Sequence, residues 1–229
     1  MTFFIAALAW LADPAHYSGP GNIPSRLLEH LGFTLVTLVF ASAIAIPAGY
    51  YIGHTGRGRR LAILVTGALR ALPTLGLLTL VALWVGIGLD APYVALTILA
   101  IPPILAGAYT GFEAIDRTTI DAATAMGMSG GQVVRKVEVP LGLPLLIGGL
   151  RSATLQVIAT ATLAAYIADV GLGRYLFEGL KTRNYDEMLG GSILVILLAL
   201  VLEGLFAGAT RLALRMVPPA TGLLPELTR

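Results

Sequence analysis

LGFTLVTLVFASAIAIPAGYYI, residues 31–52, carries no charged side chain along its whole length. A helix rises about 1.5 Å per residue, so roughly 20 such residues cross a hydrocarbon core of about 30 Å. The stretch reads as a membrane-crossing helix and sets the class of the molecule. Four more stretches read the same way. They are residues 61–89, with a kink expected at Pro73; 91–112, expected to be interrupted at Pro102–Pro103; 141–168; and 188–212. The expected fold is an all-α integral membrane protein of about five transmembrane helices.

Composition agrees. The chain has 229 residues, of which 56% are hydrophobic and 12% charged, and its mean hydropathy is +0.83. Soluble domains carry about 25% charged residues. A soluble fold of this size could not keep so much apolar surface from water, whereas lipid faces it directly. The 27 glycines and 13 prolines are compatible with membrane helices. The absence of cysteine removes disulfides, thiolate metal sites and a cysteine nucleophile. A net charge of +2 without a clustered basic face argues against a nucleic-acid partner.

Residues 3–12, FFIAALAWLA, are apolar but lack a basic n-region and a clear cleavage site, so they read as a short interfacial helix. The expected organisation is an extracytoplasmic segment over 1–28, a transmembrane domain over 29–216 and a cytoplasmic tail over 217–229. Orientation follows from basic residues in short loops. Arg57, Arg59 and Arg60, then Arg117, Arg135 and Lys136, then Arg211 and Arg215, all fall on one side. That side is read as cytoplasmic, with the N-terminus and the 169–187 loop outside.

The long polar loop, EAIDRTTIDAATAMGMSGGQVVRKVEVP over 113–140, reads as two short helices and a turn. Thr118 and Asp121 have the spacing of a capping box for a helix starting near Thr119, and Ser129 and Gln132 repeat it. Gly127 suits a left-handed helix end. The second helix is expected to stop at Pro140, which opens the fourth span. A hairpin with a small-residue face, Ala122, Ala123 and Ala125, can dock closely against a partner. It can equally be an amphipathic loop on the membrane surface.

One string narrows this. Asp121-Ala122-Ala123, three residues, Gly127, nine residues, then Val137-x-Val139-Pro140 resembles the EAA loop of ABC importer permeases, with Asp121 where that family has Glu and valines for its Ile and Leu. The stretches WLADPAHYSGPGNIPSRLLEHLGFT, RALPTLGLLTLVALWVGIG and GGLRSATLQVIATATLAAYIADVGLGRYLFEGL are similar to permeases of the glycine betaine/carnitine/choline uptake group. The resemblance covers about residues 24–215. It implies a type I importer-like bundle whose cytoplasmic helix–turn–helix over 113–140 couples to ABC ATPase subunits. It implies further a second permease copy or a homologous one, a separate extracytoplasmic solute-binding protein, and ATP with Mg on the partner ATPase alone. It places the chain in a bacterial cytoplasmic membrane as a non-enzymatic transport subunit for a solute such as glycine betaine, choline, carnitine or proline betaine. A permease for another small solute such as an amino acid is the alternative.

Arg70, Arg151 and Glu203 lie within the spans, each about 14 Å from the cytoplasmic side. They form either a ring near the translocation path or helix-to-helix ion pairs. Pro47, Pro73, Pro102, Pro103 and Pro144 suit bending helices and are also common in membranes generally. Tyr166, Tyr175 and Tyr185 are expected as an aromatic belt rather than a cation cage. His16, His30 and His54 make no ligand spacing, and no metal is expected. Gly56 and Gly58 form no phosphate loop. An intramembrane enzyme lacks its catalytic groups here, and a self-sufficient secondary transporter would need inverted repeats and more helices.

Overall fold

The computed structural model describes residues 2–216, so the expected tail over 217–229 lies outside the described residues. In chain order the helices are α1 (Thr2–Ala12), α2 (Ile23–Thr55), α3 (Arg59–Arg70), α4 (Thr74–Val85), α5 (Asp90–Glu113), α6 (Arg117–Ala125), α7 (Gly130–Val133), α8 (Val139–Ala161), α9 (Gly173–Thr182) and α10 (Tyr185–Met216). A π turn over Val134–Glu138 joins α7 to α8, and 3-10 turns follow α1 and α8. The described residues contain no strand. Four helical runs are long and apolar enough to cross a membrane, and the bent pair α3–α4 makes a fifth if taken as one span.

α5 is the centre. It packs most extensively against α2 and α8, and small residues set the spacing. A Cβ on Gly107 would stand 2.7 Å from the Leu145 carbonyl oxygen, and one on Gly149 would stand 2.6 Å from that of Pro103. On the other side, a Cβ on Gly53 would stand 2.7 Å from the Phe112 Cβ. Lipid supplies no hydrophobic drive between helices, so close van der Waals approach of this kind has to hold them. Ala41 and Ala45 of α2, Ala100, Ile104 and Ala108 of α5, and Ala153 and Val157 of α8 fill the shared core.

The prolines expected to interrupt the third span do not. α5 is continuous through Pro102 and Pro103. Pro103 lacks the N–H that would serve the Leu99 carbonyl, and the Gln156 side-chain amide of α8 donates to that carbonyl instead, at 3.3 Å. A neighbouring helix thus repairs the ladder. Pro73 does more than kink its span: α3 and α4 meet at 93°. Pro73 takes an extended backbone, φ −65° and ψ 120°, as the residue before α4.

The fourth span also differs from expectation. Helix runs from Gly130 to Tyr166 without the stop foreseen at Pro140. The π turn sets the Val139 N–H on the Val134 carbonyl, widening the coil where the Pro140 ring would meet the preceding turn. The 169–187 segment is not a plain loop, since α9 occupies most of it and packs on α10. α1 packs on α10 as well. Its Trp10 stacks on His16 at 4.1 Å and meets Tyr175 edge-on at 5.3 Å. Tyr175 is buried, and its hydroxyl donates to the Gly21 carbonyl at 2.8 Å. Burial pushes that hydroxyl's pKa up to about 12, so it stays protonated. Of the three tyrosines expected as a belt, Tyr166 and Tyr185 are exposed and Tyr175 is not.

Candidate functional site

The polar hairpin and the intramembrane charges are the two places where this apolar chain carries chemistry. α6 begins at Arg117, not near Thr119. Asp116 caps it, accepting the Thr118 N–H at 2.9 Å. That bond, joined by one from the Thr118 hydroxyl, holds the Asp116 carboxyl below the usual carboxylate range. α6 ends as the glycine rule requires. Gly127 has φ +85°, its N–H donates to the Thr124 carbonyl at 2.9 Å, and the Met128 N–H donates to that of Ala123 at 3.2 Å. This pair of bonds closes the helix end. The second capping box forms, with the Ser129 N–H donating to the Gln132 side-chain amide oxygen (Oε1) at 2.8 Å.

Exposure sorts the hairpin into two faces. Ala123 and Val133 are buried, 3% and 2% exposed. Asp121, Ala122, Gly127 and Pro140 are exposed, and Val137 and Val139 are half-buried. Met126 stands at the turn with 74% of its surface open. The hairpin therefore presents a small apolar tip ringed by polar groups.

Its root is tied to the bundle by residues that a single sequence does not mark. His54, in the last turn of α2, donates from Nδ1 to the Glu138 carboxylate at 2.7 Å, and Glu138 is buried. Arg59 at the start of α3 pairs with Glu113 at the end of α5 at 3.1 Å. Arg59, Glu113 and Glu138 border a polar cleft of about 390 Å³. Glu138 is the unspecified position of Val137-x-Val139-Pro140, and its partner lies 84 residues away, so no local pattern could announce it.

Of the three intramembrane charges, two meet. Arg151 of α8 and Glu203 of α10 form a two-pronged ion pair, with Arg151 Nε donating at 2.7 Å and a closer Nη2 contact. A lone arginine or aspartate at a helix centre costs about 2.5–3.5 kcal/mol by insertion scales, and pairing offsets much of that. Arg70 is not part of the cluster. It ends α3, is exposed, and has no carboxylate within 4.0 Å among the described residues. No group of His, Cys, Asp and Glu side chains among the described residues could hold a metal ion.

The family described as "Binding-protein-dependent transport system inner membrane component" matches residues 45–213. The chain belongs to this family. The matched region runs from mid-α2 almost to the end of α10 and includes the hairpin and both intramembrane charge sites. Among curated relatives of this permease, the choline transport system permease protein OpuBB of Bacillus subtilis (strain 168) is 30% identical over 91% of this chain and 94% of its own length. The carnitine transport permease protein OpuCB of Listeria monocytogenes is 34% identical over 87% and 90%. Among solved structures, an inward-facing form of the MetNI methionine ABC transporter superposes with a TM-score of 0.71 at 26% identity, over 81% of this permease and 93% of that chain. A second MetNI crystal form gives 0.73 at 23% identity over 90% and 97%. The type I importer architecture and its multi-pass membrane character are thereby shown.

Proposed function

We propose that this permease is the membrane-spanning subunit of an ABC importer for a quaternary ammonium solute such as glycine betaine, choline, carnitine or proline betaine. Two copies, or this chain and a homologue, enclose the path. A separate extracytoplasmic protein delivers the solute. ATP and Mg sit on partner ATPase subunits, and this chain catalyses nothing itself. The basic end of the bundle, with the hairpin, faces the cytoplasm of a bacterium, and the N-terminus faces outward. Residues 1–28 then lie outside, 29–216 form the permease domain and 217–229 a cytoplasmic tail.

The observation that carries the coupling role is the hairpin's double character. Its exposed tip, Ala122 and Met126 around Gly127, is free to seat in a partner. Its root is fixed to α2 through the His54–Glu138 bond. Motion imposed on the tip by closing ATPase subunits passes along the unbroken helix from Gly130 to Tyr166 into the bundle. Asp121, Ala122, Ala123, Gly127, Val137, Val139 and Pro140 are assigned to this coupling element. The solute class is supported by the names of relatives that are 30–34% identical. Similarity to the methionine transporter favours an amino acid as the second reading.

Reconstitution with the ATPase and binding protein tests both points. Gly127→Val meets no steric obstacle but places a β-branched residue at left-handed φ, a penalty of roughly 1–2 kcal/mol. The bundle should remain folded while ATPase capture and solute-stimulated hydrolysis fall. Normal assembly and uptake would remove the coupling assignment. Uptake of methionine in preference to choline would overturn the solute class.

A further inference from the structure

The elbow between α3 and α4 is a break in the backbone at membrane depth. α3 and α4 have 12 residues each, so about 18 Å of helix lies on either side of the elbow. α4 packs against the first turns of α5, with Leu78 and Val81 against Ala91 and Ala95. α3 packs near its last turns, with Ala62 in one cluster with Leu105 and Ala108 and with Arg59 paired to Glu113. The elbow therefore stands level with the middle of α5, far from either end of the bundle.

The Arg70 charge and the open backbone groups at this elbow are hostile to hydrocarbon. Arg70, Ala71, Leu72 and Pro73 are all exposed. Arg70 has no acidic partner within 4.0 Å among the described residues. Leu72 holds only a long 3.4 Å bond to the Leu69 carbonyl. No side chain caps α4, because Pro73 precedes it, so the N–H groups of Thr74, Leu75 and Gly76 lack helical partners. Irregular backbone at membrane depth persists only where protein buries it or where it lines a water-filled cavity. An intramembrane arginine obeys the same rule. This protein does not bury the elbow.

We infer that Arg70–Pro73 lines the aqueous translocation path, with the Arg70 guanidinium hydrated by path water. The inference rests on the importer reading and adds the residues that form the wall. It separates the two intramembrane arginines. Arg151 is neutralised by Glu203 and serves packing. Arg70 sets a positive potential on the path.

The chain has no cysteine, so single-cysteine variants are clean reporters. Leu72→Cys and Ala71→Cys probe the elbow, and Leu200→Cys probes the exposed outer face of α10. Proteoliposomes carrying the complete importer are treated with a membrane-impermeant, anionic methanethiosulfonate under turnover. Only the thiolate reacts, and an apolar surrounding suppresses it. Both elbow cysteines should react about tenfold or more faster than Leu200→Cys, since each unit of pKa rise removes a factor of ten. Elbow cysteines as slow as Leu200→Cys, in vesicles that still take up solute, would overturn the inference and put the elbow in lipid or against the partner permease. Uptake by the unsubstituted complex is scored in the same vesicles. Its absence counts against the importer reading, while fast elbow labelling would still place the elbow in water.

Discussion

α2, α5 and α8 form one kind of membrane structure, and α3 with α4 forms another. In the first, backbones approach so closely that a methyl group on Gly107, Gly149 or Gly53 would collide with a neighbouring helix. In the second, Gly67 has no atom within 4 Å of where its Cβ would be, and Gly76 meets only Pro73 at 3.7 Å. Even the prolines behave differently. Pro103 sits in a continuous helix because Gln156 serves the carbonyl it abandons. Pro73 has no such neighbour, and its span breaks at 93°. Pro103, buried among neighbouring helices, leaves its helix continuous, and the exposed Pro73 stands at the break.

The harshest test of this contrast is to crowd the core. Gly149→Leu forces a branched side chain against the Pro103 carbonyl and the Gly107 Cα. Overpacking commonly costs 1–3 kcal/mol, and here backbone leaves no flexible end to yield, so a loss above about 3 kcal/mol is expected. Size-exclusion chromatography in detergent should show the monodisperse species gone. A variant that elutes and melts like the parent would mean that α5 and α8 are not in contact at this depth.

A smaller effect separates the two arginines. Glu203→Gln leaves Arg151 without its partner, and Arg151→Gln does the converse. A double-mutant cycle should give a coupling of about 0.5–3 kcal/mol in thermal melts, as for contacting residues. Arg70→Gln removes no ion pair and should change stability by less than about 0.5 kcal/mol. Additivity at 151 and 203, or a large loss at 70, would reverse the assignment.

Much of this was legible in the sequence. Charge-free runs of sufficient length located the spans, Gly127 marked the left-handed turn, and Ser129 with Gln132 marked a helix start. The sequence puts the start of the hairpin's first helix near Thr119 and the structure puts it at Arg117, because Asp116 and Thr118 both have capping chemistry and Asp116 takes the role. Depth along each helix puts Arg70, Arg151 and Glu203 at one level, but depth carries no azimuth, and of the three only Arg151 and Glu203 form an ion pair. Arg174, Glu178 and Lys181 read as a loop in the sequence, yet they lie on α9, whose buried side Tyr175 and Gly179 mark at i, i+4. The His54–Glu138 and Gln156–Leu99 bonds join residues far apart in sequence. A single chain gives no local sign of either.

The mildest change has the opposite sign to the first and tests the loose arm alone. Glycine inside a helix is less favourable than alanine by roughly 0.5–1 kcal/mol, because its unfolded backbone is freer. At Gly107 that gain cannot appear, since the added methyl would lie 2.7 Å from a carbonyl oxygen. At Gly67 nothing opposes it, and α3 has ordinary helical backbone there. Gly67→Ala should therefore stabilise the purified permease by about 0.5–1 kcal/mol, while Gly107→Ala destabilises it. The sign is informative whichever way it falls. Should Gly67→Ala stabilise the isolated chain but weaken the assembled importer, the open face of α3 closes against a neighbour only in the complex. Should it destabilise both, some part of this chain packs on α3 as tightly as α8 packs on α5, and the contrast between the two regions disappears.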